Sequence, residues 1–261
     1  MPETMSDKTA VILGAASGIG AATARHFAAL GCKLILADIQ AEAGNQIAQE
    51  LGATFLQCDI TREQDVEAVT QRAIDDHGRL DIVINCAARL GVIGSITTTS
   101  AEDWRKTMAI LVDGPFFAIK HAAKHMVPQG EGVIISIAST AGIMGGLGPH
   151  GYTTGKHALI GLIKSAASEL SASRVRVLGV APSGVLTPMA AAIAKGEVEE
   201  GLARTSPLGS GIDPEEIAAT LAFLCSANAR HMTGQTMIID SGVTSSGLAV
   251  PMFHRAEPTN L

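Results

Sequence analysis

Short runs of aliphatic and β-branched residues recur along the chain at Thr9–Leu13, Lys33–Ala37, Thr54–Gln57, Ile82–Ile84, Val133–Ile137, Arg176–Val180 and Thr236–Ile239. Between them, apolar positions return every three or four residues, which predicts helices near 18–30, 41–51, 62–77, 101–126, 151–172 and 213–226. Strands that are apolar at nearly every position fit a sheet buried on both faces, and helical crossovers between them make neighbouring strands parallel. The expected fold is therefore α/β and doubly wound. Three stretches break the rhythm, 86–100, 139–150 and 182–212, each after a strand. In an open sheet, loops beyond the carboxyl ends of strands form the ligand crevice. The longest of these carries Lys195, Glu197, Glu199 and Glu200, and its part from 187 to 212 is expected to act as a substrate lid.

Composition narrows the function. The 261 residues are 47% hydrophobic but only 3% aromatic, so the core is aliphatic and a disordered chain is excluded. The length suits a single domain spanning 1–261 with a short tail, 247–261. A net charge of −6 without any Lys/Arg run argues against nucleic acid or an anionic membrane surface and for a small-molecule partner. The uncharged stretch Gly132–Gly155 has too many glycines and hydroxyls to span a bilayer. No leader is visible in residues 1–9, and Cys32, Cys58, Cys86 and Cys225 show neither pairing nor metal-ligand spacing. A cytoplasmic protein without a metal is expected.

The segment Gly14-Ala15-Ala16-Ser17-Gly18-Ile19-Gly20 follows the first strand and opens a helix. Such a turn lets the backbone approach a pyrophosphate, which then meets free N–H groups and the positive end of the helix dipole. By itself it reads equally well as a tight strand-to-helix turn. Asp38, 18 residues after Gly20, shifts the balance: it falls close to the offset at which a carboxylate binds ribose hydroxyls and repels a 2′-phosphate. Its neighbours Ile39 and Gln40 are uncharged and the turn carries Ser17 rather than a cation, so NAD is expected over NADP. Asp59 has two readings, a partner for the adenine amino group with Ile60 against the ring, or a cap for the helix that starts near Thr61.

Tyr152 and Lys156 lie four apart at the start of a helix and share a face, with Ser139 just past a strand at the same sheet edge. A phenol titrates near ~10; an ammonium ~4 Å away at an effective dielectric of ~20 contributes ~4 kcal/mol, a lowering of about three units before desolvation opposes it. Tyr152 is the sole tyrosine. In this reading it removes an alcohol proton while Ser139 donates to the oxygen.

From about Lys8 to Gly242 the chain resembles the short-chain dehydrogenase/reductase (SDR) family, through Gly14, Gly18, Gly20, Asp59, Asn85 with Cys86-Ala87-Ala88, Ser139, Tyr152, Lys156, Pro182 and Thr187. The resemblance implies a seven-stranded parallel Rossmann sheet, Asn85 and Ala87 at the cofactor, Lys156 on the nicotinamide ribose, Val185 and Thr187 near the carboxamide, and a homotetramer. The activity it implies is hydride transfer between NAD and a secondary alcohol or ketone. The same-class alternative is a carbonyl or 3-oxoacyl reductase working reductively; from another class, a catalytically impaired dinucleotide-sensing protein.

Some positions depart from the family pattern. Leu111 stands where the pattern has an Asn that anchors a proton-relay water, and leucine cannot hold one. Asp113 points about 200° away around a regular helix, whereas Thr107, one turn earlier, is placed to help. Ala88 and Ser183 replace glycines, and Cys86 replaces a second Asn. For substrate, the sequence offers Met144, His150 and Met189, with Leu90, Val92 and Ile193 as further apolar wall. Such a wall fits a bulky cyclic or aromatic substrate better than a sugar or charged acid. His150 reads equally as a helix cap or a solvent-facing residue. The apolar tail around Leu248–Phe253 is expected on its own or a neighbouring subunit.

Overall fold

A computed structural model describes residues 4–194 and 197–246, with the side chains of 193 and 194 left out. The tail 247–261, Lys195 and the Ile193 side chain thus lie outside the described residues. Seven strands form one sheet: β1 Thr9–Leu13, β2 Lys33–Asp38, β3 Thr54–Gln57, β4 Ile82–Asn85, β5 Gly132–Ile137, β6 Val175–Pro182 and β7 Thr236–Ile239. Their order is β3-β2-β1-β4-β5-β6-β7 and every pairing is parallel. The helices are α1 Gly18–Ala29, α2 Ala41–Leu51, α3 Glu63–His77, α4 Ala101–Met108, α5 Gly114–Gln129, α6 His150–Leu170, α7 Pro188–Ala194, α8 Val198–Thr205 and α9 Pro214–Cys225.

Alternation along each strand divides the core into two. Ile12, Leu36, Ile84, Ile135 and Val180 pack with Phe27 of α1, Ile47 of α2 and Leu221 of α9. Val11, Ile35, Val83, Ile134 and Val177 face the other way, onto Val66 of α3, Met126 of α5 and Ile163 of α6. Both faces are covered, as a parallel sheet requires. The winding direction reverses between β1 and β4, where Leu13 is in register with Ala37 on one side and Asn85 on the other. That reversal opens the crevice in which such sheets bind ligands.

Two elements differ from the pattern-based expectation. The helix expected over 101–126 is broken by a π-turn at Ala109–Asp113, where the Gly114 N–H donates to the Ala109 carbonyl five residues back. Pro115 causes the break, because it has no N–H to give to the Leu111 carbonyl and its ring crowds that group. The stretch 182–212 is not bare loop either: it contains the short helices α7 and α8.

The π-turn brings Leu111 onto α6. A Cβ added at Gly155 would lie 2.7 Å from the Leu111 Cβ, and one at Gly151 would lie 3.0 Å from Thr107 Cγ2. Only glycine permits this approach, and the two positions flank Tyr152 and Lys156. Gly155→Ala would ordinarily gain about 0.5–1 kcal/mol of helix propensity. Here overpacking against Leu111, about 1–3 kcal/mol, outweighs it. The substitution is expected to lower Tm by roughly 2–8 °C, and by less in a Leu111→Ala background. Equal or higher Tm in the single variant would contradict this packing.

Candidate active site

The carboxyl ends of β1, β2, β4, β5 and β6 open into a cleft of about 950 Å³. Gly14, Ser17, Gly18, Ile19 and Gly20 form its floor, with Asp38, Ile39, Asp59, Ile60, Ala87, Pro182, Val185 and Thr187 around them and Ser139, Tyr152 and Lys156 on the far wall. All the expected cofactor positions therefore meet in one cavity except Asn85, which is buried behind it and accepts the Ala87 N–H at 3.2 Å.

The glycine turn fits a dinucleotide. Gly14 and Gly18 have φ of 79° and 51°, in the left-handed region, and a Cβ on Gly20 would fall 1.9 Å from the Gly14 carbonyl oxygen. Ser17, the residue before α1, places no side-chain oxygen on the helix N–H groups, and the first turn carries no acid. The positive end of α1 thus faces the cleft without an internal anion, the arrangement that receives a pyrophosphate. The tight approach of Thr187 to Gly18, 3.0 Å to an added Cβ, brings the start of α7 over this turn.

Asp38, 8% exposed, accepts the Ala16 N–H on Oδ2 and the Gln40 N–H on Oδ1, each at 2.9 Å. These bonds fix its carboxylate at the cleft wall. Asp59 does local work as well as lining the cleft: its Oδ1 accepts the Thr61 N–H at 3.0 Å and the Thr61 hydroxyl at 2.7 Å. Its capping reading is not met, since Thr61 lies before α3, which begins at Glu63 with Arg62 at the cap position.

Lys156 is 2% exposed and its ammonium donates to the Ile137 carbonyl at 2.6 Å, tying α6 to the end of β5. Burial brings its pKa down to about 8. Its Nζ lies 5.6 Å from the Tyr152 ring centre. Burial also raises the Tyr152 phenol, opposed by a hydrogen bond with the Ser139 side chain. The expected lowering of Tyr152 is corrected here: desolvation prevails, and the ammonium is directed to the Ile137 carbonyl. Ser139 itself accepts the Ala141 N–H at 3.1 Å, which orients its hydroxyl. Cys86 lies at the same wall, its thiol pushed up to about 12 by burial, so it remains protonated and unreactive at neutral pH.

The substrate residues are only partly as expected. Met189 and Leu90 line the cleft. Met144 and His150 do not; both are exposed, and His150 is the first residue of α6. Val92 is also outside, its N–H donating to the Thr107 hydroxyl at 3.3 Å. That hydroxyl donates in turn to the Asp103 carbonyl at 2.9 Å, so Thr107 ties a loop to α4 and supplies no relay. Leu111 is 1% exposed, packed on α6 rather than facing the cleft, and Asp113 is exposed to solvent. The sequence reading missed Ile110, Leu147, Leu202, Ser206 and Val243, all in the lining. Pro115 signalled the kink that presents Ile110; nothing local marks the others. Among the described residues no cluster could hold a metal, and no helix is long and apolar enough to cross a membrane.

A family model described as "Enoyl-(Acyl carrier protein) reductase" matches residues 14–244. Momilactone A synthase from Oryza sativa subsp. japonica is 40% identical over 91% of this chain and 90% of its own length. Borneol dehydrogenase, mitochondrial, from Lavandula x intermedia is 35% identical over 95% of both. A solved short-chain type dehydrogenase/reductase from Mycobacterium ulcerans superposes with a TM-score of 0.87 at 31% identity, covering 97% of each chain. The chain belongs to the short-chain dehydrogenase/reductase family. It is an alcohol/ketone oxidoreductase of that type, using a nicotinamide dinucleotide.

Because the chain has one tyrosine, phenolate absorbance reads Tyr152 alone. In the ligand-free protein its titration midpoint is expected above ~10. A midpoint at or below that value would contradict the dominance of burial.

Proposed function

We propose that this protein is an NAD-dependent dehydrogenase that interconverts a bulky cyclic or aromatic secondary alcohol and its ketone. The observation that carries the reading is one cleft holding Ser139, Tyr152 and buried Lys156 on one wall and the fixed Asp38 carboxylate on another. Asp38 favours ribose hydroxyls and opposes the extra phosphate of NADP. When bound, the nicotinamide ring supplies the hydride acceptor.

Within this reading Tyr152 is the acid/base, taking the carbinol proton at its phenolic oxygen. Ser139 donates to the substrate oxygen and orients it. Lys156 carries positive charge beside the phenol and reaches toward the nicotinamide ribose. Because the phenolate is the base, oxidation is expected to speed up as pH rises from about 7 toward about 8, above which loss of the Lys156 charge opposes the gain. The wall of Leu90, Ile110, Leu147, Met189, Leu202 and Val243 supports a bulky apolar skeleton, and one relative is named a borneol dehydrogenase. The segment 187–212, containing α7 and α8, is read as the lid of a single domain. A homotetramer follows from the family resemblance. The free cysteines favour a reducing compartment, for which the cytoplasm is our reading, although one relative is named as mitochondrial.

Steady-state rates with cyclic and aryl secondary alcohols test the proposal. NAD is expected to exceed NADP in kcat/KM by at least about tenfold, and Asp38→Ser to narrow that gap. Tyr152→Phe is expected to reduce kcat by about a thousandfold or more with NAD still bound. A preference for NADP, or near-normal turnover by Tyr152→Phe, would overturn it.

A further inference from the structure

We propose that Thr107 is a positioning residue that sets the distance between the substrate wall at Leu90 and the Tyr152 phenol. The inference rests on the alcohol-dehydrogenase reading above and adds to it a residue behind the cleft surface: Thr107 is 2% exposed and does not line the cleft.

Three cleft-forming segments meet on this one side chain. Thr107 belongs to α4, which with the following π-turn supplies Lys106, Ala109 and Ile110 to the cleft. Its hydroxyl accepts the Val92 N–H at 3.3 Å, two residues after Leu90. The loop can descend that far because Gly91 has φ of 72°, and a Cβ there would fall 2.4 Å from both Oγ1 and Cγ2 of Thr107. The Thr107 methyl meets α6: a Cβ on Gly151, the residue before Tyr152, would lie 3.0 Å from Cγ2.

The two branches of the threonine have different tasks, and one bond orients both. The hydroxyl donates to the Asp103 carbonyl, four residues back, at 2.9 Å. A helical threonine divides between two rotamers because its oxygen can bond a carbonyl one turn earlier, and here that bond selects one. With the proton so used, the oxygen lone pairs are left for the Val92 N–H, and the methyl is turned to Gly151. Valine would keep a methyl but no acceptor, and serine would keep the acceptor but no methyl, so substitution separates the two tasks.

Wall and base must agree in position, because an alcohol seated against Leu90 presents its carbinol to the phenol oxygen at one spacing only. A misplacement of about 1 Å can cost roughly a hundredfold in rate. The methyl contact holds α4 at a fixed height over the first turn of α6, beside Tyr152. The hydroxyl contact holds the loop of Leu90 to the same helix. Loss of the methyl therefore disturbs the base and lowers kcat, whereas loss of the acceptor loosens the wall and raises the KM for alcohol.

The test is a methyl swap, read as steady-state oxidation of a cyclic secondary alcohol per dinucleotide-binding site, so that loss of folded protein does not register as loss of rate. Thr107→Ser is expected to lower kcat by about tenfold with the KM for alcohol within about twofold, and Thr107→Val to raise that KM by about fivefold with kcat kept. Gly151→Ala alone crowds Cγ2 and also lowers kcat. Combined with Thr107→Ser, its methyl replaces the one removed, and kcat returns to within about threefold of wild type. A double variant no faster than Thr107→Ser, a Thr107→Ser rate within about twofold of wild type, or an unchanged KM in Thr107→Val would overturn the proposal while leaving the dehydrogenase reading intact. No turnover of any alcohol by wild-type protein would overturn that reading and this inference with it.

Discussion

The bond from the buried Lys156 ammonium to the Ile137 carbonyl at 2.6 Å joins the helix that carries Tyr152 to the strand whose end leads to Ser139. A cation so buried is unfavourable unless fixed dipoles replace its water. The carbonyl at the end of β5 supplies one such dipole, so the ammonium lies at the sheet edge and α6 must lie close above it. That closeness imposes the rest. Gly151 and Gly155 admit the α4 and π-turn segment against α6, and a Cβ on Gly142 would meet the Lys156 carbonyl oxygen at 2.7 Å. Glycine on these faces is thus a consequence of where the lysine is held.

The opposite end of the cleft works by backbone rather than by side chains. There α1 presents uncapped N–H groups beyond a turn too tight for a Cβ, and Asp38 is fixed by two N–H donors. This end of the cleft is thereby preorganised before a ligand arrives, which reduces the ordering cost of binding. The end that holds Tyr152 and Lys156 is different in kind, because burial raises the Tyr152 phenol and lowers Lys156. At neutral pH this holds Tyr152 as the neutral phenol, whereas Lys156, at about 8, keeps most of its charge beside it.

Much of this was legible in the sequence because it depends on local pattern. Strands β1, β3 and β7 fall where the apolar runs end, and the glycine turn, Asp38, Tyr152 and Lys156 are marked by spacing. Features set by tertiary contact were not. The π-turn needed Pro115 to be read as an obstacle to the Leu111 carbonyl, within a segment whose apolar period runs through it without interruption. Met144 and His150 are near Tyr152 in sequence, yet the chain carries them to the exposed surface while Leu147 reaches the cleft. The direction of the Tyr152 shift depended on burial, which a four-residue spacing does not encode.

In the proposed reaction, hydrogen passes from a carbinol carbon to the nicotinamide ring within this cleft. The most direct measurement follows a cyclic secondary alcohol deuterated at its carbinol carbon through one turnover with oxidised dinucleotide. The deuterium is expected on the reduced nicotinamide ring in proportion to the ketone formed. Ketone without labelled dinucleotide, or deuterium released to water, would contradict it.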